Sequence, residues 1–237
     1  MKRGYLFFIL LVSVVGCSDE DPINTDMGLN YFPLHTGDRW IYQVEETIIN
    51  QTRESKAYEL RVTVIDSVKN TNGGYTYTFH RDKRATETDS WQSFETWTAV
   101  LSMNQLVQNE GNELFVKLIF PLSNDLTWTG NQFNNLPNYG NLFNGKGSEV
   151  YHATEYDQSK TLATNLDFGK TITITQNDFD DPIVGKDVRK EVYARDVGLI
   201  FKEVTQLEYC SVGDCLGQQK VDKGFIRIQT LKSHASQ

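Results

Sequence analysis

The stretch YELRVTVIDSVKNTNGGYTYTF, Tyr58–Phe79, decides the fold class. Tyr58, Leu60, Val62 and Val64 alternate with Glu59, Arg61 and Thr63, and Tyr75, Tyr77 and Phe79 alternate with Thr76 and Thr78. Successive side chains of a strand point to opposite faces, so a period of two places one apolar face against a core and one polar face against water. Asn72-Gly73-Gly74 separates the two runs, and those residue types adopt the positive φ of a tight hairpin at little cost. The segment reads as two half-buried antiparallel strands joined by a turn.

The same period recurs outward from this hairpin. Ile172 and Ile174 sit between threonines, and Asn109-Glu110-Gly111-Asn112 separates Leu106-Val107 from Leu114–Phe120. DVGLIFKEVTQLEYC, Asp196–Cys210, and GFIRIQTLK, Gly224–Lys232, form a further hairpin. No run carries an apolar stripe at i, i+3, i+4, i+7 over three turns, so few helices are expected. The pattern predicts an all-β domain of about ten strands, as a strongly twisted antiparallel sheet or partly open β-barrel.

The N-terminus has a different logic. Lys2 and Arg3 precede an apolar run from Tyr5 to Val15, the layout of an export signal and too short to span a bilayer. Val14-Val15-Gly16-Cys17 resembles the lipobox of bacterial lipoproteins. That resemblance implies cleavage before Cys17, a diacylglyceryl group on its sulfur and an acyl chain on its new amino group. One chain anchors only marginally, whereas two or three anchor stably. Ser18-Asp19-Glu20-Asp21 resembles the acidic signal of surface-exposed lipoproteins of the Bacteroidetes type, and Ser18–Gly28 also reads as a polar tether. The expected organisation is a signal peptide over 1–16, a lipidated Cys17 and flexible acidic tether over 17–30, and a single β-rich domain over 31–237. The expected location is the outer membrane, through the lipid anchor and with the cell surface as one possible face.

Two stretches of the domain carry a family resemblance. YFPLHTGDRWIYQV, Tyr31–Val44, looks like the opening of Bacteroidetes-type envelope lipoproteins of unknown function, matched at Tyr31, Phe32, Pro33, Leu34, Gly37, Trp40 and Tyr42. VYARDVGLIFKE, Val192–Glu203, is similar to the penultimate hairpin of the same group. Membership would imply an envelope lipoprotein with a β-rich domain and would assign no activity. Trp40 and Tyr42, two apart, share a face and read as core.

Loss of residues 1–16 would remove Lys2 and Arg3 and take the formal charge from −8 to −10. An acidic surface repels phosphates, so nucleic acid is not an expected partner. Besides Cys17 the chain has only Cys210 and Cys215, in EYCSVGDCLG. They are expected to face each other across the mouth of a hairpin loop as a structural disulfide, in keeping with an oxidising compartment. Zinc would need about four ligands, and no further cysteine is free to join.

No catalytic signature stands out. His35, His80, His152 and His234 lie in no metal-ligand or protease spacing, and there is no nucleophile elbow or P-loop. His80-Arg81-Asp82 spells a kinase tripeptide, but its required partner motifs are missing. Asp178, Asp180 and Asp181 offer oxygen ligands after a strand ending near Thr175, without the spacing of a calcium loop, and read as a solvated turn. Asp66-Ser67-Val68 resembles a short O-glycosylation sequon of Bacteroidetes-type exported proteins. No metal, cofactor or catalytic residue is therefore expected. The asparagine-rich stretch Asn124–Glu149 is the long irregular segment, and its aromatics Trp128, Phe133, Tyr139 and Phe143 are the candidate ligand-binding residues. They read either as a stacking surface or as rings buried against the sheet.

These readings favour a non-catalytic, lipid-anchored protein whose β-domain binds a ligand (glycan or lipid-like) or a partner protein. A carrier or assembly factor with an apolar cavity inside a curved sheet, similar in architecture to the half-barrel lipoprotein-sorting proteins, is the alternative. A surface glycan hydrolase using two carboxylates brought together by folding is the second.

Overall fold

The computed structural model describes residues 26–71, 73–134 and 149–236. Cys17, Asn72, Tyr139 and Phe143 lie outside them, as does the whole leader and most of the tether.

Twelve strands form one antiparallel sheet: β1 (Arg39–Asn50), β2 (Thr52–Lys69), β3 (Tyr75–Arg84), β4 (Gln92–Leu101), β5 (Gln105–Glu110), β6 (Glu113–Ile119), β7 (Thr127–Thr129), β8 (Val150–Thr161), β9 (Asp167–Asp181), β10 (Gly185–Ala194), β11 (Gly198–Tyr209) and β12 (Val221–Ala235). The spatial order is β6-β5-β4-β3-β2-β1-β12-β11-β10-β9-β8-β7. Two up-and-down meanders of six strands are thus joined along a single seam, where β1 pairs with β12 from Arg39↔Ala235 to Asn50↔Lys223. Helix is confined, among the described residues, to single 3-10 turns at Leu29–Tyr31 and Gly213–Cys215.

The sheet curls until its two edges nearly close a barrel. Eight of the eleven pairings contain a register shift, and each extra residue bends its strand and sharpens the twist. At the closure the Val116 N–H of β6 donates to the Gly130 carbonyl just beyond β7 at 2.8 Å, and Trp128 Nε1 donates to the Val116 carbonyl at 2.7 Å. A side chain at position 130 would collide with the Tyr151 ring of β8, so glycine is what lets the chain after β7 lie over that ring.

Turn chemistry does what the sequence suggests. Gly111 and Asn112, both at positive φ (62° and 74°), make the two-residue reversal between β5 and β6. The expected loop there is shorter than read, because Asn109 and Glu110 belong to β5.

The expected all-β sheet, a partly open barrel, is what forms, with twelve strands where about ten were expected. Three finer expectations are corrected. One strand, β7, lies inside the segment read as irregular. Asp178, Asp180 and Asp181 lie within β9 rather than after it. The alternation is lost near Thr175 because Gln176 is bulged opposite the Arg189/Lys190 step of β10, which shifts the phase of the faces. Cys210 and Cys215 are bonded, with Cα atoms 5.8 Å apart, but not across a hairpin mouth. The mouth is Cys210 with Lys220, whose carbonyl accepts from Cys210 N at 2.7 Å, and the disulfide closes a small ring within the connection.

Candidate functional site

On its inner face each strand changes character along its length. In β1 the inward residues are Trp40, Tyr42, Val44 and then Glu46; in β3 they are Tyr77, Phe79 and then Arg81; all are buried. In β10 the sequence is reversed because the strand runs the other way: Asp187, Arg189 and Glu191 precede Tyr193. The barrel is therefore apolar toward the end where β1 begins and charged toward the other.

A cavity of about 290 Å³ lies between the wall formed by β1–β5 and the wall formed by β10–β12. Its floor is built by the segment that precedes β1. Gly28, at φ 74°, turns the chain into the Leu29–Tyr31 helical turn, and Tyr31 is fully buried with its hydroxyl donating to Asp157 at 2.5 Å. Phe32 packs edge-on against Phe79 and Tyr193, at 6.5 and 6.0 Å between ring centroids. Burying a ring of this size contributes about 1.5–3 kcal/mol, so the floor is a packed element of the core. Trp40 Nε1 donates to the Val197 carbonyl at 2.7 Å and the Tyr42 hydroxyl to the Leu199 carbonyl at 2.9 Å. Tyr31–Val44 and Val192–Glu203, the two stretches that carry the family resemblance, thus meet at this floor. Trp40 and Tyr42 are core, and both also line the cavity.

Above the floor the wall is ionic. Lys117 Nζ lies 2.9 Å from Glu110 and 2.6 Å from Glu191, and Lys202 Nζ lies 2.9 Å from Glu110 and 3.0 Å from Glu191. The Tyr193 hydroxyl donates to the second oxygen of Glu191 at 2.6 Å. Burial by itself would raise both carboxyls, but the two ammonium groups outweigh it and hold them below the usual carboxylate range. Burial would likewise lower Lys117, yet the carboxylates push it up to about 12. Every member of this quartet is answered.

Arg81 stands apart. It is 5% exposed, its guanidinium lies 3.5 Å from the centre of the Trp97 ring, and one of its amino groups bonds Glu95. Its Nε–H and the Trp97 Nε1–H are buried and find no acceptor among the described residues. Both residues line the cavity. Desolvation lowers the pKa of Arg81, although an arginine stays protonated throughout the working pH range. Across the rim Arg227 is satisfied by Glu46, 2.6 Å away, which also takes Lys56 at 2.6 Å.

The residues singled out from sequence are placed as follows. Trp128 is buried, donates to Val116 and packs edge-on against Tyr151, while Phe133 is 47% exposed; neither lines the cavity. Tyr139 and Phe143 fall outside the described residues. His80 and Asp82 point away from the cavity, 3.0 Å apart, and Asp82 also accepts from Arg61 at 2.8 Å. Asp180 pairs with Lys186 at 2.6 Å, and Asp181 caps its own turn by accepting from Ile183 N and Val184 N. No cluster of metal-ligating side chains occurs among the described residues.

The cavity residues that sequence reading missed are Arg81, Glu95, Trp97, Glu110, Glu191 and Lys202. One signal for Arg81 was present: it continues the face of Tyr75, Tyr77 and Phe79 at the same period of two.

No protein-family model matches the chain. No curated protein matches it either. Two solved structures are similar in fold. One, from Bacteroides fragilis, is a protein assigned as exported, with a YmcC-like fold; it is 13% identical, with a TM-score of 0.40, over 86% of this chain and 98% of the other. The second, from Parabacteroides distasonis, is assigned as a lipoprotein; it is 10% identical, with a TM-score of 0.40, over the same shares of the two chains.

Proposed function

We propose that this chain is a lipid-anchored envelope protein whose β-barrel holds a small amphiphilic ligand in its interior, as a binding or carrier protein rather than an enzyme. The observation that carries the reading is the cavity of about 290 Å³, with an aromatic floor and a polar upper wall. That volume stands just below the usual range for ligand pockets, about 300–1,000 Å³, and the lining joins an aromatic floor to a wall rich in charged side chains.

Glu110 and Glu191 are unsuited to act as the acid of a glycoside hydrolase. A general acid for that reaction needs a raised pKa, whereas Glu110 and Glu191 are held ionised by Lys117 and Lys202. The anchor rests on the Val14–Cys17 pattern and the charged, short apolar leader before it. Labelled palmitate should enter the chain in vivo and fail to enter a Cys17→Ser variant; equal labelling would remove the anchor.

The cavity is tested by filling it. N-phenyl-1-naphthylamine, a neutral apolar probe, should bind with enhanced fluorescence to the wild type. Val62→Trp, which places a large ring in the lining, should abolish that enhancement without lowering the thermal midpoint. Undiminished probe binding to a folded Val62→Trp variant would place the apolar site elsewhere.

A further inference from the structure

On the footing that the cavity binds a ligand, we propose that its occupant carries an uncharged head group that both donates and accepts hydrogen bonds, as a hydroxyl does. The side-chain amides of Gln229 and Gln108 receive that group, and an apolar body rests on the floor made by Phe32, Leu34, Trp40 and Phe79.

Gln229 is the buried group without an answer. It is 5% exposed and lines the cavity from β12, yet its side-chain amide has no hydrogen-bond partner among the described residues, and its oxygen and nitrogen both keep accessible surface. Gln108, half-buried on β5, lines the facing wall in the same condition. Buried polar groups in folded proteins are almost always satisfied by protein, water or ligand, so two open amides in one cavity mark where the polar atoms of an occupant belong. Arg81 Nε and Trp97 Nε1 also lack acceptors, but neither has surface open to the cavity, so neither can receive a ligand from it.

Charge in the lining is already paired. Lys202 is shared between Glu110 and Glu191, Arg81 bonds Glu95, and Arg227 bonds Glu46. Glu95 and Arg227 are 29% and 33% exposed, so water at the rim screens whatever their pairing leaves over. A charged head group drawn down to Gln229 would be buried without a free counter-ion, which is strongly unfavourable. The amide makes the same selection, because it presents N–H donors on one atom and an acceptor on the other. A carboxylate would leave Gln229 Oε1 facing a second acceptor, and an ammonium would leave Nε2 facing a second donor. A hydroxyl accepts from Nε2 and donates to Oε1, and so satisfies both.

The two amides also stand at matching heights. On β12 Gln229 lies opposite Val44, between the Tyr42–Leu231 pair toward the floor and the Glu46–Arg227 pair toward the rim. On β5 Gln108 lies between the fully buried Leu106 and Glu110 on the same face. Each amide thus marks the step from apolar to ionic lining, where an amphiphile with its tail on the floor has its head.

Isothermal titration of the full chain, purified and freed of co-purifying lipid, with octan-1-ol, 1-methoxyoctane, octanoate and octylamine at neutral pH tests the assignment, because the four probes share an eight-carbon chain and differ in the head. Octan-1-ol is expected to bind tightest, several-fold tighter than 1-methoxyoctane, which accepts but cannot donate and is the more apolar of the two. Octanoate and octylamine are expected to bind about tenfold or more weakly than octan-1-ol. Gln229→Leu, which removes the amide at nearly constant volume, should erase the preference for octan-1-ol over 1-methoxyoctane and leave the affinity for the ether within about twofold. If that variant does not fold, the wild-type ranking and Gln108→Leu, expected to reduce the same preference, decide. Equal affinity for the alcohol and the ether, a preference that survives Gln229→Leu, or tightest binding of either ion would overturn the head-group assignment and leave the cavity reading standing. Failure of all four probes to bind would overturn both.

Discussion

Two of the ionic clusters inside this barrel differ in completeness. In the quartet of Lys117, Lys202, Glu110 and Glu191, two cations meet two carboxylates, and the Tyr193 hydroxyl takes a remaining oxygen. Around Arg81 there is one carboxylate, one aromatic face and two N–H groups without acceptors among the described residues. Burial penalises charge in both places, and the quartet sets more opposite charge and hydrogen bonding against that penalty than the Arg81 cluster does. The quartet joins β5 and β6 to β10 and β11 across the barrel and has the character of a structural clamp. The Arg81 cluster is built mainly on the neighbouring strands β3 and β4.

This difference predicts unequal costs of removal. Lys117→Met leaves two buried carboxylates to a single ammonium and should destabilise the protein by about 3–5 kcal/mol in urea unfolding. Arg81→Met gives up an ion pair to a carboxylate near the rim but also removes an unanswered donor, so its cost should be at most about 1 kcal/mol. Equal losses would mean that both clusters are clamps, and the distinction between them would fall.

A pH series sharpens the same contrast with a smaller effect. Glu110 and Glu191 have folded pKa values below the usual 4.5, so the quartet's contribution is present above pH 4.5 and is lost as pH falls through the lowered values. Lys117, raised from 10.5 to about 12, gives the opposite sign: stability is present below 10.5 and is lost as pH rises through about 12. Stability should therefore decline on both flanks of a broad neutral plateau, and Lys117→Met should flatten the alkaline flank. An alkaline flank unchanged in that variant would take Lys117 out of the account.

The sequence made the strands legible wherever inward residues are apolar, as at Tyr58–Val64 or Tyr75–Phe79. It hid them where the inner face is charged. In β10 the inward set includes Asp187, Arg189 and Glu191, all buried, so hydrophobic alternation weakens just where the strand contributes ions to the interior. Strand β4 is hidden in the same way, since Glu95 and Trp97 face the cavity. The candidate site was missed for one physical reason: the reading equates inside with apolar, and this barrel is apolar inside only at one end. The asparagine-rich segment drew attention by composition, yet its described aromatics, Trp128 and Phe133, lie off the cavity. What composition cannot convey is that Trp128 closes the barrel, because its partner Val116 is a backbone carbonyl on a strand that nothing in the residue pattern pairs with it.

The single seam between β1 and β12 bears on how such a chain is made. Every other pairing joins strands that follow one another, so each six-strand meander can be laid down hairpin by hairpin as the chain emerges. Strand β1, however, must wait for the last strand to be synthesised. Until then its second edge is an open template, in a strand that carries Trp40, Tyr42 and Val44, and neighbouring copies of the same chain compete for it. Until β12 docks, the β1 edge is therefore the place on the sheet where pairing with a second copy competes with pairing within the chain.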